Sequence, residues 1–285
     1  MSPSLPKPGA PRRSRRIFAA LVGLCVWSSV PAADGSAVEQ GIDAYRAGNY
    51  GLALQSLSTP AAAGDALAQY HLGLMYERGL GVLVDEARAR DWYRQSAEQG
   101  LPRAQHNLAT LLLDGRGGDA ERATALEWLR RAAAQGSGKS AHHLGLVYFR
   151  GDGVARDFAQ ARQWWEQAFA AGEPDAGYNL GILYRRGLGV PRDAALAAQW
   201  WERAALAGSK LAQHGVGNAY LEGDGVTRDP VTAYAWLRLA ADAGVAAAEQ
   251  GAALLEQGLP PDALDAARQR AREFAARQKS STQPP

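Results

Sequence analysis

Five histidines, His71, His106, His142, His143 and His214, are the residues whose type and spacing first suggest chemistry. Imidazole is a common zinc ligand, and these rings recur at separations close to 36 residues or twice that. Ligands of one zinc ion lie about 2 Å from it, whereas equivalent positions on successive packed helices are about 8–10 Å apart. Only His142 and His143 are neighbours, and adjacent residues of a helix do not face each other. The spacing therefore predicts no metal site. Gly136-Ser137-Gly138-Lys139-Ser140 ends in the Gly-Lys-Ser of a phosphate-binding loop, but Ala133 stands where that loop needs its earlier glycine, and the segment follows a helical stretch. Beyond residue 33 neither Ser-x-x-Lys nor Gly-x-Ser-x-Gly occurs, so a serine acyl-enzyme lacks its motif. Arg150-Gly151-Asp152 spells an adhesion tripeptide through a glycine that belongs to a recurring series. No catalytic residue and no cofactor is predicted, and the sequence is read as a non-enzyme.

The elements that would have to position any such residue are helical. Of the 285 residues, 47% are hydrophobic, yet only 2 are Met and 5 Phe, so the core must come from many small residues, alanine above all, at close helix contacts. Alanine-rich, strand-poor composition favours helix. Residues 1–33 hold Lys7, Arg12, Arg13, Arg15 and Arg16 and no acid, which leaves 26 bases against 29 acids after Ala33. That balance removes the basic face a nucleic-acid partner would need.

The leader follows the export pattern, with basic Arg12 to Arg16, an apolar run from Ile17 to Val30, and small residues at Pro31-Ala32-Ala33-Asp34. Residues 1–33 are predicted to be a signal peptide cut after Ala32 or Ala33. Ser14-Arg15-Arg16-Ile17-Phe18 also resembles a twin-arginine signal, and ordinary secretion is slightly preferred over it. A membrane span needs about 20 apolar residues, so no stable span is expected after cleavage. Cys25, the single cysteine, lies in the leader behind Leu24, where lipid attachment would want a smaller residue. The mature chain then has no disulfide and no thiolate metal site, and a periplasmic or secreted location is expected.

Self-similarity settles the domain organisation. Trp92, Trp128, Trp164, Trp200 and Trp236 recur every 36 residues without insertion or deletion. In the same register stand Gly79, Gly115, Gly151, Gly187 and Gly223, each followed by Gly81, Gly117, Gly153, Gly189 or Gly225. A third series is Gly100, Gly136, Gly172, Gly208 and Gly244. Each copy reads as two helices: the first starts near Ala68, Ala104, Ser140, Ala176 or Ala212, and the glycine pair ends it. Asp85, Asp157, Asp193 and Asp229 sit where the second helix begins, with Pro230 behind the last of them. The strict register of the tryptophans predicts one buried indole per repeat. The second copy, with Ala109, Leu112, Gly118 and Glu121 at positions occupied elsewhere by Gly, Tyr, Val and Asp, is expected to be the least regular.

The stretches 68–82 and 176–190, from Ala68-Gln69-Tyr70-His71-Leu72-Gly73 and Ala176-Gly177-Tyr178-Asn179-Leu180-Gly181 to their glycine pairs, resemble the first-helix signature of the Sel-one-like repeat, a relative of the tetratricopeptide repeat. That resemblance covers about two thirds of the chain and implies an all-α, right-handed α-solenoid. The expected order is signal peptide 1–33, a tetratricopeptide-like capping pair 34–67, repeats 68–103, 104–139, 140–175, 176–211 and 212–247, C-terminal capping helices 248–279, and a disordered tail 280–285. The capping helices are expected to cover the last exposed core face.

In tetratricopeptide domains one stripe of the first helix lines the concave surface. The matching stripe here is Tyr70, Leu74 and Glu77; His106, Thr110 and Leu113; His142, Leu146 and Phe149. It continues through Tyr178, Ile182 and Arg185 to His214, Asn218 and Leu221. Aromatic and apolar side chains beside hydrogen-bonding groups suit a protein or peptide partner. The resemblance thus implies an exported interaction scaffold, with envelope complex assembly or signalling as its setting. Peptidoglycan or glycan binding is the alternative. A β-lactamase-like hydrolase, as described for cysteine-rich relatives, fits less well because the cysteines are missing.

Overall fold

The computed structural model describes Met1 and residues 35–114 and 118–282. The expectations for the leader and Cys25, for Gly115 and Gly117, and for residues 283–285 fall outside the described residues. Among those described, all regular structure is helical. A first pair, α1 (Gly35–Arg46) and α2 (Tyr50–Ala62), precedes the repeats. The first helices of the five repeats are α3 (Ala66–Arg78), α5 (Pro102–Asp114), α7 (Gly138–Arg150), α9 (Pro174–Arg186) and α11 (Lys210–Glu222). Their partners are α4 (Glu86–Glu98), α6 (Gly118–Ala134), α8 (Phe158–Ala170), α10 (Ala194–Leu206) and α12 (Pro230–Asp242). Then come α13 (Ala246–Gly258) and α14 (Pro261–Thr282). From α1 to α13 each helix packs chiefly on its neighbours in sequence, which makes a solenoid.

The local signals explain the boundaries. Asp85, Asp157, Asp193 and Asp229 cap α4, α8, α10 and α12, each accepting a first-turn amide on its carboxylate. Gly187 ends α9 with φ 68°, a left-handed conformation that disfavours a β-carbon, and Gly79, Gly151 and Gly223 do the same for α3, α7 and α11. The first helices begin two residues earlier than the sequence suggests, because Asp65, Ser137 and Ser209 are their caps and Pro102 and Pro174 open α5 and α9. In the second copy no aspartate marks the boundary. There α6 starts at Gly118 and runs 17 residues against 13 in its counterparts. Glu121 falls inside it and pairs with Arg90 of α4 at 3.0 Å.

The core corrects one expectation. Trp92, Trp128, Trp164 and Trp200 are only half-buried, and Trp236 alone of that series is fully enclosed. The buried position is the next one along: Tyr93, Leu129, Trp165, Trp201 and Leu237, all at 4% exposure or less. Periodicity shows that a position is constrained but not which of two adjacent aromatics turns inward. The inward residue faces a small one on the first helix. A β-carbon built on Gly145 would lie 2.2 Å from Trp165 Nε1, one on Gly181 2.2 Å from Trp201 Nε1, and one on Gly73 2.5 Å from the Tyr93 ring. In the second copy the register puts Ala109 and Leu129, both buried, at these two positions, and in the fifth Gly217 faces Leu237, where a β-carbon would lie 2.8 Å from Leu237 Cγ. Both indoles donate to a first-helix carbonyl, Trp165 to His142 at 3.2 Å and Trp201 to Tyr178 at 3.0 Å. Two of the outer tryptophans lie under arginines instead, with the Arg203 guanidinium 4.3 Å from the Trp200 ring centre and Arg131 4.7 Å from that of Trp128.

Consecutive repeats are clamped by glutamines that sequence reading did not single out. Gln69 Nε2 donates to Ala61 O and Gln105 Nε2 to Ala97 O, each reaching back to the end of the preceding second helix. Gln99 and Gln135 then donate to Gln69 and Gln105. The second glycine of the loop permits another backward contact: Gly225, at φ 80°, lies so close to the Ala194 carbonyl that a β-carbon would sit 2.1 Å from its oxygen.

The ends differ from each other. At the N-terminus α1 and α2 pack as a pair across the turn capped by Asn49. At the C-terminus α14 folds back on α12 and α10 instead of pairing with α13. Phe274 stacks on Trp236 at 4.0 Å, and Arg270 reaches Asp229 at 3.0 Å. Both C-terminal helices thus pack on α12, Ala248 and Ala252 of α13 beside Leu237 and Phe274 of α14 on Trp236, while Leu254 of α13 stays 71% exposed. Helix α14 also runs through Thr282, past Ser280 where the sequence suggests a disordered tail to begin.

Gly181→Ala should lower stability by about 2 kcal/mol in chemical denaturation, since overpacking costs about 1–3 kcal/mol and exceeds the gain in helix propensity of about 1 kcal/mol. Trp165→Leu alone should cost about 2–4 kcal/mol, and adding Gly145→Ala should restore at least about 1 kcal/mol by reproducing the Ala109–Leu129 pair. Additive losses would contradict this packing.

Candidate binding groove

Helix α1 touches α3 and α9 touches α11 across the intervening second helix, within a row made by the first helices. A depression of about 660 Å³ opens there over α3, α5 and the start of α7. Leu67, Tyr70, Leu74 and Leu101 supply its apolar surface, and Arg78, Arg103 and Lys139 its cations. A smaller one of about 300 Å³ adjoins it, sharing His106 and Lys139 and adding His142, His143, Leu146 and Glu173.

The expected stripe divides accordingly. Tyr70, Leu74 and His106 line the larger depression, and His106, His142 and Leu146 the smaller. Glu77 is occupied, its carboxylate accepting the Tyr93 hydroxyl at 2.6 Å, and Thr110 donates to the His106 carbonyl at 3.0 Å. Leu113 and Phe149 pack against the core, Phe149 with its ring centre 5.4 Å from that of Trp165. Tyr178 and Ile182 pack on the cluster around Trp201, and Leu221 packs on the cluster of α12 and α13. Arg185 is held by Asp224 at 2.7 Å and Glu222 at 3.3 Å, and Asn218 contacts His214 Nε2 at 3.0 Å. The stripe is thus drawn together into a recess only over its first three repeats. Sequence reading missed Leu67, Leu101, Arg78, Arg103 and Lys139, which sit at helix ends outside the chosen helical stripe.

The histidines come closer than simple helix spacing suggests. The rings of His106 on α5 and His143 on α7 lie 6.1 Å apart, edge to face. Among the described residues no third histidine, cysteine or carboxylate joins them in a metal-holding group. His106 Nδ1 lies 3.1 Å from Ser140 Oγ, and His142 Nε2 2.8 Å from Asn179 Nδ2. Burial pushes His71 down to about 4, helped by the charges of Arg46 and Arg103, and it pushes His106 down to about 4, helped by His143 and Lys139. Both rings are therefore neutral at pH 7. The Gly-Lys-Ser segment is the turn into α7, where Ser137 caps the helix by accepting the Ser140 amide.

A row of stacked helix pairs with a recess over its first helices defines a repeat-built solenoid, and its kind can be named. The Sel1 repeat family matches residues 66–101, 102–137, 138–173, 174–209 and 210–245, and the chain belongs to that family. These frames start with the observed helices, two residues before those suggested by the glycine register. A Sel1 repeat protein of known structure from Oxalobacter formigenes is 30% identical, with a TM-score of 0.73 over 86% of this chain and 99% of that one. A protective antigen of uropathogenic Escherichia coli strains, displaying an SLR fold, is 30% identical, with a TM-score of 0.48 over 88% of this chain and 64% of that one. Chitin synthase regulatory factor 3 of Schizosaccharomyces pombe is 46% identical over 43 residues, which is 15% of this chain and 5% of that protein. Sel1 repeat proteins generally bind protein partners and are generally non-catalytic. Among the described residues no helix is long and apolar enough to cross a membrane.

The neutral histidines give the fold a pH dependence. Their folded values lie below the ordinary 6.5, so between pH 6.5 and about 4 the unfolded chain binds more protons and stability falls as pH falls. Denaturant midpoints should decline across that window, and combined His71→Gln and His106→Gln changes should flatten the decline. An unchanged slope would show that these rings are not held neutral.

Proposed function

We propose that this protein is an exported, non-catalytic scaffold that binds a protein or peptide on the inner face of its first helices, as an adaptor in envelope complex assembly or signalling. The observation that carries the reading is the recess itself. It joins half-buried Tyr70, His106 and His142 to apolar and cationic side chains on rigid helices. Such a surface offers contact area at small entropic cost, since the helices are already ordered before a partner arrives. Family membership supports binding over catalysis, and the leader sequence Arg12 to Asp34 supports export.

The test expresses the full chain in a Gram-negative host and follows its cleavage and fractionation. The product is then used for affinity capture from envelope extract. A periplasmic product shortened by the leader and a specific co-purifying protein are expected. The Tyr70→Ala, His106→Ala, His142→Ala, Tyr178→Ala variant, checked for folding by circular dichroism, should retain at least about tenfold less of that protein, equivalent to about 1.4 kcal/mol. Undiminished capture by the folded variant would overturn the assignment of this face. Retention on isolated cell wall instead would favour glycan binding, and turnover of amide or β-lactam substrates would overturn the non-catalytic reading.

A further inference from the structure

The larger depression is unequal in its chemistry. Its cations, Arg78, Arg103 and Lys139, come from three consecutive first helices, α3, α5 and α7, and all three side chains are exposed. Among the described residues none of them forms an ion pair, whereas Arg88, Arg90, Arg94, Arg162, Arg185 and Arg238 each do. No carboxylate lines the recess. The nearest one on the stripe, Glu77, is turned to the Tyr93 hydroxyl. His106 carries no charge at neutral pH, so the local charge rests on the three long side chains. This positive recess lies in a chain whose residues after Ala33 hold more acids than bases.

Between these cations lies an apolar floor. Leu67 is 43% exposed, one of few large apolar side chains left so open among the described residues. Beside it are Tyr70, half-buried, and Leu74 and Leu101. A bare phosphate or carboxylate would satisfy the cations and leave that floor in water. An apolar peptide would cover the floor and leave three cations facing it unpaired, which burial penalises. A segment that supplies both carboxylates and a large apolar side chain satisfies both sets of groups. The volume, about 660 Å³, falls in the range that ordinary ligand clefts occupy.

We propose that the N-terminal half of the groove, across α3, α5 and the first turn of α7, is a docking site for an acidic peptide segment bearing a large apolar side chain. The inference rests on the scaffold reading above and specifies its partner. The site ends where Glu173 enters the adjoining recess, since a carboxylate there repels an acidic ligand. Further along, Arg185 is held by Glu222 and Asp224, and an acid, Asp175, stands at the repeat position of Arg103 and Lys139. The first turn of α7, beside Lys139, adds the positive end of its helix dipole to the same side.

Fluorescence polarisation with the full chain and three labelled octapeptides tests this. One alternates glutamate with leucine and phenylalanine, a second replaces the apolar residues by serine, and a third replaces glutamate by lysine. The first should bind at least about tenfold tighter than either other, and raising salt from about 50 to about 500 mM should weaken it several-fold as screening shortens. The charge reversal Arg78→Glu, Arg103→Glu, Lys139→Glu should abolish binding with no loss of helicity, because all three side chains are exposed. Leu67→Ser should weaken the first peptide and spare the second. Equal binding of the serine peptide, or binding that survives charge reversal, as attachment to the basic leader would, overturns the proposal. If no octapeptide binds while the four-residue groove variant still loses a captured protein, the scaffold reading stands and the acidic-peptide inference falls.

Discussion

The closest approach within each repeat, between a small residue of the first helix and a bulky one of the second, sets the geometry on which the remainder depends. Where the first helix carries glycine, as at Gly145 and Gly181, the facing indole lies against bare backbone and donates its N–H to a neighbouring carbonyl. In the second copy the register pairs buried Ala109 with buried Leu129, and in the fifth Gly217 faces Leu237. Interiors pack near crystalline density, so a single methyl group must be matched across the contact. Because each repeat touches only its neighbours, this one distance is repeated along the chain. The stacking brings α3, α5 and α7 together around the recess where Tyr70 and His106 meet.

Much of this was legible in the residues themselves. Glycine at Gly79, Gly151, Gly187 and Gly223 and aspartate at Asp85, Asp157, Asp193 and Asp229 act through local backbone chemistry, so their register alone located the helix ends. What depends on tertiary contact was not legible. The choice between Trp164 and Trp165 for the core depends on helix rotation of about 100° per residue, which a 36-residue period does not resolve. The return of α14 onto Trp236 depends on which apolar face was left uncovered after five repeats had packed. Arg103 and Lys139 share a repeat position, but Leu67 holds it in the first copy and Asp175 in the fourth, so the register carried no consistent charge signal, and Arg78 joins them only once the helices are stacked.

The repeat architecture also separates stability from recognition. Tyr93, Trp165, Trp201 and the alanines beside them hold the helices at fixed spacing from inside. Side chains on the first-helix row are then free to differ from copy to copy, and they do: Tyr70 and Leu74 give way to His106, then to His142 and Leu146. A partner that reads three or four such positions gains specificity without requiring any change to the core. The C-terminal half contributes differently, with Arg185 and Asp224 linking successive repeats and α14 bracing α12, which keeps the row of first helices in place.

The most direct measurement is site-specific photo-cross-linking in the native host, with a photoreactive phenylalanine analogue placed either at Leu67, in the recess, or at Leu83, a more accessible leucine in the α3–α4 loop that is 90% exposed. A discrete protein adduct from position 67 and none from position 83 is the result expected of a scaffold that binds through its first helices. Adducts of equal yield from both positions, or from position 83 alone, would contradict it.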